Sequence, residues 1–199
     1  GGNGIYHSNY DSYSFMERFG DPGYRYHAAA ARIGTVMMMR LASAEVLPYD
    51  YAEFARTMRR YLAPVDRALQ QRGWRGSSAP LAAAIDRMER AATAFNATRD
   101  SALAAGVPRA RQATTNAALR EVERAMTRPE GLRSRPWYRN LIYVADVDNG
   151  YGTMVFPSVN EAIRYGTEAL YAAELQDLVG RFDAATAAID RAARSLRGQ

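Results

Sequence analysis

The sequence of 199 residues contains no cysteine and no lysine, and it has only two histidines, His7 and His27. Without cysteine the chain forms no disulfide and offers no thiolate to a metal ion. It has no run of about 18 apolar residues, the length that a membrane-spanning helix needs. It also lacks a glycine-rich phosphate loop after a strand and the nucleophile elbow of serine hydrolases. By itself the chain therefore lacks the usual means of thiol, nucleotide and serine chemistry.

All 26 basic residues are arginine, and with 21 acidic residues they give a formal net charge of +5 and a pI near 9.6. A basic chain can attract an anionic partner, so the alternative function is a stand-alone basic helical module that binds nucleic acid or an acidic protein. The arginines are, however, interspersed with carboxylates. Pairs such as Asp86–Arg90 and Glu121–Arg124 have the spacing of ion pairs along one helix. We interpret the charge as a solvated helical surface and expect no nucleic-acid partner.

Apolar residues recur at spacings of three and four through most of the chain, which indicates amphipathic helices. Stripes of this period favour shallow crossing angles of about 20° between helices. The sequence therefore predicts an all-α fold, an up-down bundle resembling a four-helix bundle, with one irregular loop or hairpin insertion before the last helix. The predicted stripes are Phe54, Met58, Leu62, Val65 and Leu69; Leu81, Ile85, Met88, Ala92 and Phe95; Leu119, Val122 and Met126; and Leu178, Phe182, Ala185, Ile189, Ala192 and Leu196.

The first part of the chain has a different pattern. Residues 11–19 predict a short helix, and Asp21 predicts the cap of a second one with Pro22 at its first position. That helix is expected to run to about Val46, and because it is apolar on most sides we expect it to be buried. The alternative is that its methionine run forms an adaptable binding surface. Pro48 ends the pattern, so we predict two domains, residues 1–48 and residues 49–199.

Residues 128–157 form the one irregular region. Residues 141–144 predict a short strand, and Asn149-Gly150, a dipeptide favoured in turns with positive φ, predicts a hairpin tip. Ser158 and Glu161 have the spacing of a capping box for the next helix. So long a segment in a compact bundle is usually functional. The alternative is a packed connection anchored by its aromatic residues, Trp137, Tyr138 and Tyr143.

Several segments resemble the C-terminal part of the glutamate carboxypeptidase II and transferrin receptor family, and they occur in the family's order along nearly the whole chain. The most specific is residues 6–13, Tyr-His-Ser-Asn-Tyr-Asp-Ser-Tyr, which resembles the segment that carries the last ligand of a two-zinc site. The resemblance implies that this chain is the C-terminal third of such a protein. The other similar segments are residues 19–22, 26–27, 47–50, 135–139, 142–143, 149–151 and 156–157.

The resemblance implies roles for four residues in a full-length parent. His7 would bind one of two zinc ions, and Tyr6 would lie beside the scissile group as a hydrogen-bond donor. The family's substrate loop carries a Lys-Tyr pair that recognises the terminal carboxylate of glutamate, and here the pair is Gly150-Tyr151. Loss of the lysine removes a charge-assisted hydrogen bond of about 1.5–3 kcal/mol. The sequence therefore argues against a strict preference for C-terminal glutamate.

The chain alone is expected to hold no cofactor and to hydrolyse nothing, because one histidine cannot supply the three or four ligands that zinc needs. The resemblance implies that its partners are a second copy of itself, the upstream catalytic domain of its own chain, and a peptide substrate of the parent. The sequence leaves localisation unknown, although the family suggests a secreted, periplasmic or membrane-anchored parent. The predicted function is homodimerisation, with one loop contributed to the substrate pocket.

Overall fold

The computed structural model describes residues 5–199, which form two compact units, the first ending at Ala44 and the second spanning Glu45–Gln199. No helix among these residues is both long enough and apolar enough to cross a membrane. Each unit is built mainly from helices, so the predicted helical class is confirmed.

The first unit contains a single helical turn, α1 (Tyr13–Phe15), a π-helical turn at Met16–Gly20, and helix α2 (Arg25–Ala42). The carboxylate of Asp21 accepts the backbone N–H groups of Tyr26 (3.1 Å) and His27 (2.9 Å), so its side chain caps the first turn, although the residue directly before the helix is Tyr24. Pro22 is not the first helical residue, because Tyr24, with φ of 54°, reverses the chain just before α2. The helix therefore begins and ends inside the predicted bounds.

The side chain of His27 adds a third contact to Asp21, with Nδ1 2.6 Å from Oδ2. Removal of the carboxylate from water acts to raise the pKa of Asp21, but the hydrogen bonds from His27 and the Tyr26 backbone lower it to about 2. His27 is therefore engaged in a local cap.

No residue of α2 is buried. Ile33 is 63% exposed and Met37 is 59% exposed, so the expectation that this helix lies in the core is wrong for the described chain. The apolar pattern identified a helix that favours burial, but periodicity does not say which surface covers it.

The second unit is a helical bundle of α3 (Tyr51–Arg60), α4 (Leu62–Gln71), α5 (Ala79–Ala105), α6 (Arg109–Ala125), α7 (Pro157–Tyr165) and α8 (Glu168–Arg197). Helix α8 is central, because it packs along α5, α6 and α7, while α3 packs on α5. The predicted apolar stripes form this core: apart from Phe54, which is half-buried against the core, their residues are all buried. At the start of α3, the side chain of Asp50 accepts the backbone N–H groups of Ala52 and Glu53, each at 3.1 Å, and so caps the helix.

Residues 128–156, called the connector below, form most of the segment between α6 and α7. They contain an antiparallel hairpin of β1 (Tyr143–Ala145) and β2 (Thr153–Val155), in which Val144 pairs with Met154. The hairpin is confirmed, although β1 begins two residues later than predicted and a seven-residue loop, residues 146–152, joins the strands. Neither Asn149 nor Gly150 has a positive φ. A loop of this length does not need the mirror-image turn that a two-residue hairpin favours.

The predicted capping box at the start of α7 does not form. Phe156 is the N-cap, with φ of 48°, and Pro157 is the first helical residue. Phe156 is fully buried, with its ring 6.4 Å from that of Phe182, so core packing starts the helix two residues earlier than the local pattern indicates. Ser158 is consequently inside the helix, and its buried hydroxyl has no hydrogen-bond partner among residues 5–199.

Candidate functional site

The segment predicted to reach a metal centre is exposed in the first unit. His7 has φ of 62°, and its ring stacks on that of Tyr6 with 3.9 Å between centroids. Residues 5–199 contain no group of three or more His, Asp and Glu side chains that could hold a metal ion. His7 thus offers one imidazole, and the described residues do not by themselves fit a zinc centre.

The connector is fastened to the bundle by arginines that pair with buried carboxylates. Arg135 Nη2 lies 2.5 Å from Glu161 Oε1 in α7, and Arg135 Nε donates to the same oxygen at 3.1 Å. The two side chains are only 11% and 9% exposed. Arg135 Nη1 also donates to the carbonyl oxygen of Ala145 at 2.8 Å, and its guanidinium lies 4.8 Å from the centre of the Tyr138 ring. One arginine therefore joins the hairpin, the connector and α7.

A second fastening lies at Glu174 of α8, whose side chain is 3% exposed. Arg128 Nη1 donates to Glu174 Oε2 at 2.7 Å, and Arg133 Nε donates to Oε1 at 2.6 Å. Burial acts to raise the pKa of Glu174, but the hydrogen bonds from Arg133 and Arg128 outweigh it, so the pKa lies below its usual value. Glu174 is therefore held as a carboxylate between two cations.

Sequence reasoning missed these contacts and named the wrong anchors. Trp137 and Tyr143 are 72% and 60% exposed, so of the three aromatic residues only Tyr138 is packed as an anchor would be. The partners of the fastening arginines lie 26 to 46 residues further along the chain. No local spacing could have identified pairs so distant in sequence.

The loop between β1 and β2 is ordered around Asp146. Its Oδ1 atom accepts the backbone N–H groups of Asp148 (2.9 Å) and Asn149 (3.3 Å), and Asn149 Oδ1 accepts the N–H of Tyr151 (3.1 Å). Arg164 of α7 lies 3.0–3.1 Å from both carboxylate oxygens of Asp146, and this contact leads the lowering of the Asp146 pKa. The loop is thus tied to the end of a helix.

One face of this loop is presented to the outside. Tyr151 is 83% exposed, and with Trp137 and Tyr143 it lines an open groove that Arg139 and Gly150 also line. A Cβ atom added at Gly150 would meet no atom within 4 Å, so a larger side chain fits there. The two residues assigned to the substrate loop therefore lie together at an exposed, aromatic surface.

The fold and this site together define a helical bundle domain that presents one braced loop. A family model, the transferrin receptor-like dimerisation domain, matches residues 77–198. Because the match covers more than half of the chain, the chain belongs to this family of dimerisation domains. The alternative function, a stand-alone module that binds nucleic acid, is not favoured. Many arginines of this chain form ion pairs with its own carboxylates.

The similarity to known proteins extends over almost the whole chain. The chain is 29% identical over 195 residues, 98% of its length, to the probable glutamate carboxypeptidase LAMP1 of Arabidopsis thaliana. It is 28% identical over 169 residues to a probable glutamate carboxypeptidase of Arthroderma benhamiae, and 25% identical over 195 residues to the aminopeptidase NAALADL1 of Rattus norvegicus, alignments that cover 81% and 96% of the chain. These matches cover 28%, 22% and 26% of the three relatives, so the chain spans about a quarter of their length.

Proposed function

We propose that this dimerisation domain serves a glutamate carboxypeptidase-like zinc metallopeptidase, and that residues 1–48 are the tail of its catalytic domain. The observation that carries the proposal is the alignment of nearly the whole chain with relatives named as carboxypeptidases and an aminopeptidase. In that setting the bundle joins two copies of the protein.

The same proposal assigns Tyr6 and His7 to the reaction centre of the parent. His7 would supply one imidazole to a two-zinc site whose other ligands lie outside residues 5–199, and zinc bound there would supply Lewis-acid chemistry. The Tyr6 hydroxyl would donate a hydrogen bond beside the scissile group. One feature supports this: both side chains are exposed, so neither is needed to fill a core.

Gly150 and Tyr151 are the proposed contribution to the substrate pocket. Tyr151 carries an exposed aromatic hydroxyl on a loop that holds its backbone N–H, and Gly150 leaves open space where the family carries a lysine. A peptide with a C-terminal glutamate would lack one charge-assisted contact at this position. We therefore propose a peptidase with a relaxed preference at the C-terminal residue.

The test is a pair of substitutions in the parent protein, assayed with peptides that end in glutamate or in a neutral residue. Gly150→Lys should raise kcat/KM for glutamate relative to the neutral residue by about tenfold, the effect of one charge-assisted hydrogen bond. Tyr151→Phe should raise KM without unfolding the bundle. If both variants keep the parent's kcat/KM ratios across the panel, the loop has no part in recognition.

Association and metal content are tested on the 199-residue chain itself. Light scattering should give twice the chain mass of 22.1 kDa at micromolar concentration. A mass of one chain across a hundredfold dilution would contradict self-association by this domain alone. Metal analysis should find no stoichiometric zinc, and about one tightly held zinc per chain would overturn the assignment of His7 as one ligand among several.

A further inference from the structure

The exposed face of the loop at residues 146–152 depends on contacts made on its opposite side. Arg164, in the last turn of α7, places its two terminal nitrogens against the two carboxylate oxygens of Asp146, Nη1 at 3.1 Å from Oδ1 and Nη2 at 3.0 Å from Oδ2. This paired geometry fixes direction as well as distance. Arg164 Nη1 also donates to Asp148 Oδ2 at 3.1 Å, and the hydroxyl of Tyr165 donates to the same carboxylate oxygen.

These contacts continue through the loop to Tyr151. Asp146 receives the N–H groups of Asp148 and Asn149, and Asn149 in turn receives the N–H groups of Tyr151, through its side chain at 3.1 Å, and of Gly152, through its carbonyl at 2.8 Å. The N–H of Asp146 closes the loop on the carbonyl oxygen of Gly152 at 2.9 Å. The backbone position of the exposed tyrosine is therefore set by a continuous series of hydrogen bonds that begins at Arg164.

Helix α7, which carries Arg164, is itself held in place. Arg164 follows Glu161 by one turn of this helix. Glu161 is held by Arg135, which also binds the Ala145 carbonyl at the end of β1. Helix α7 buries Val159, Ala162 and Ile163 against the core. A cation in the last turn of a helix is also favoured by the helix dipole.

We propose that Arg164 is a positioning residue, which orders the loop so that Tyr151 meets a substrate in one preset conformation. The inference rests on the proposed role of Tyr151 in substrate recognition. Tyr151 touches the ligand, and Arg164 acts only through Asp146 and Asn149. A loop ordered in advance loses less conformational freedom when the ligand arrives, which strengthens binding without a new contact.

The loop's order is measured first in the 199-residue chain, by NMR-detected exchange of its backbone amides. Arg164→Gln should speed exchange at Asp148, Asn149 and Tyr151, while exchange in α5 and α8 stays unchanged. Arg164→Lys retains one cation and should give an intermediate rate. The matched control is Arg191→Gln, an exposed arginine of α8 that forms no ion pair within residues 5–199, and it should leave the loop unchanged. Equal loop exchange in all four proteins would overturn the inference.

Recognition is then measured in the parent protein with a dipeptide that ends in glutamate. Arg164→Gln should raise KM about fivefold with kcat unchanged, since an exposed cluster of ion pairs is expected to contribute this much. The lysine variant should restore part of the loss, and all variants should melt within about 2 °C of the parent. A fall in kcat with an unchanged KM would overturn the positioning role.

The Tyr151→Phe variant distinguishes substrate recognition by Tyr151 from positioning by Arg164. If Tyr151→Phe raises KM and Arg164→Gln does not, Tyr151 recognises substrate and Arg164 does not position it. If neither variant changes KM, the proposed recognition role of the loop fails, and the positioning role fails with it. If both raise KM and the lysine variant is intermediate, both stand.

Discussion

The bundle and the connector of the second unit are held together by different forces. In the bundle, apolar side chains from α5, α6 and α8 fill a core in which Leu81, Leu119 and Phe182 are completely buried. In the connector, Arg128, Arg133 and Arg135 reach two carboxylates of α7 and α8. Apolar burial is non-directional and roughly proportional to area, whereas each ion pair fixes a direction. The bundle therefore sets the frame, and the ion pairs set how the connector lies on it.

This difference has consequences for stability. Burial of hydrocarbon depends little on pH or salt, because no charge is involved. A buried carboxylate, by contrast, stabilises the fold only while it is ionised and its cations are in place. The two regions should therefore respond differently to the same change in conditions.

The largest effect is expected in the bundle. Phe182→Ala in α8 removes a fully buried ring and should lower the free energy of unfolding by about 3–5 kcal/mol. Denaturant unfolding measures it, and the loss should be the same at low and high salt. The exposed Ala184→Ser in the same helix is the control, with a change within about 0.5 kcal/mol. A loss below about 1 kcal/mol for Phe182→Ala would mean that α8 is not the centre of the core.

Breaking one ion pair of the connector should lower the free energy of unfolding by a smaller amount. Glu174→Gln leaves Arg128, which is 12% exposed, with only its longer contact of 3.3 Å to Asp177, and should cost about 3 kcal/mol of unfolding free energy. Glu121→Gln breaks an exposed pair with Arg124 and should cost less than about 1 kcal/mol. An equal loss of unfolding free energy in the two variants would show that burial does not strengthen the connector's ion pairs.

Acid should remove the difference in the free energy of unfolding between the parent chain and the Glu174→Gln variant. The folded-state pKa of Glu174 is lowered, so its contribution is complete above the unfolded-state value of 4.5 and is lost as the pH falls through the folded-state pKa. Urea unfolding from about pH 7 down to about pH 3 should show this gap narrowing only below about pH 4.5. The gap for Phe182→Ala should stay constant over the same range. A Glu174 gap that widens in acid would contradict the sign of the shift.

The smallest effect is expected on the exposed face of the hairpin. Tyr151→Phe and Trp137→Ala change side chains that are 83% and 72% exposed, so each should alter the free energy of unfolding by less than about 0.5 kcal/mol. Thermal unfolding provides the measurement. A loss above about 1 kcal/mol would place these rings in the connector's packing, contrary to their exposure.

The sequence by itself determined the helices of the bundle and their buried faces, because a stripe of period 3.6 is a local property that each helix carries alone. It also determined the hairpin around residues 146–152. The segments at residues 6–13 and 149–151 indicated the family, and the match over residues 77–198 establishes it.

Only the tertiary structure decided how the connector is held and where α7 begins. The pairs Arg135–Glu161 and Arg128–Glu174 join residues far apart in sequence, and their geometry exists only after the helices have packed. The same holds for Phe156, whose left-handed conformation is maintained by its contact with Phe182 and places Ser158 inside the helix. The apolar face of α2 also shows the limit of periodicity, which predicts that a helix favours burial but not the surface that covers it. Local pattern is encoded residue by residue, whereas these contacts arise from the distances that the whole fold imposes.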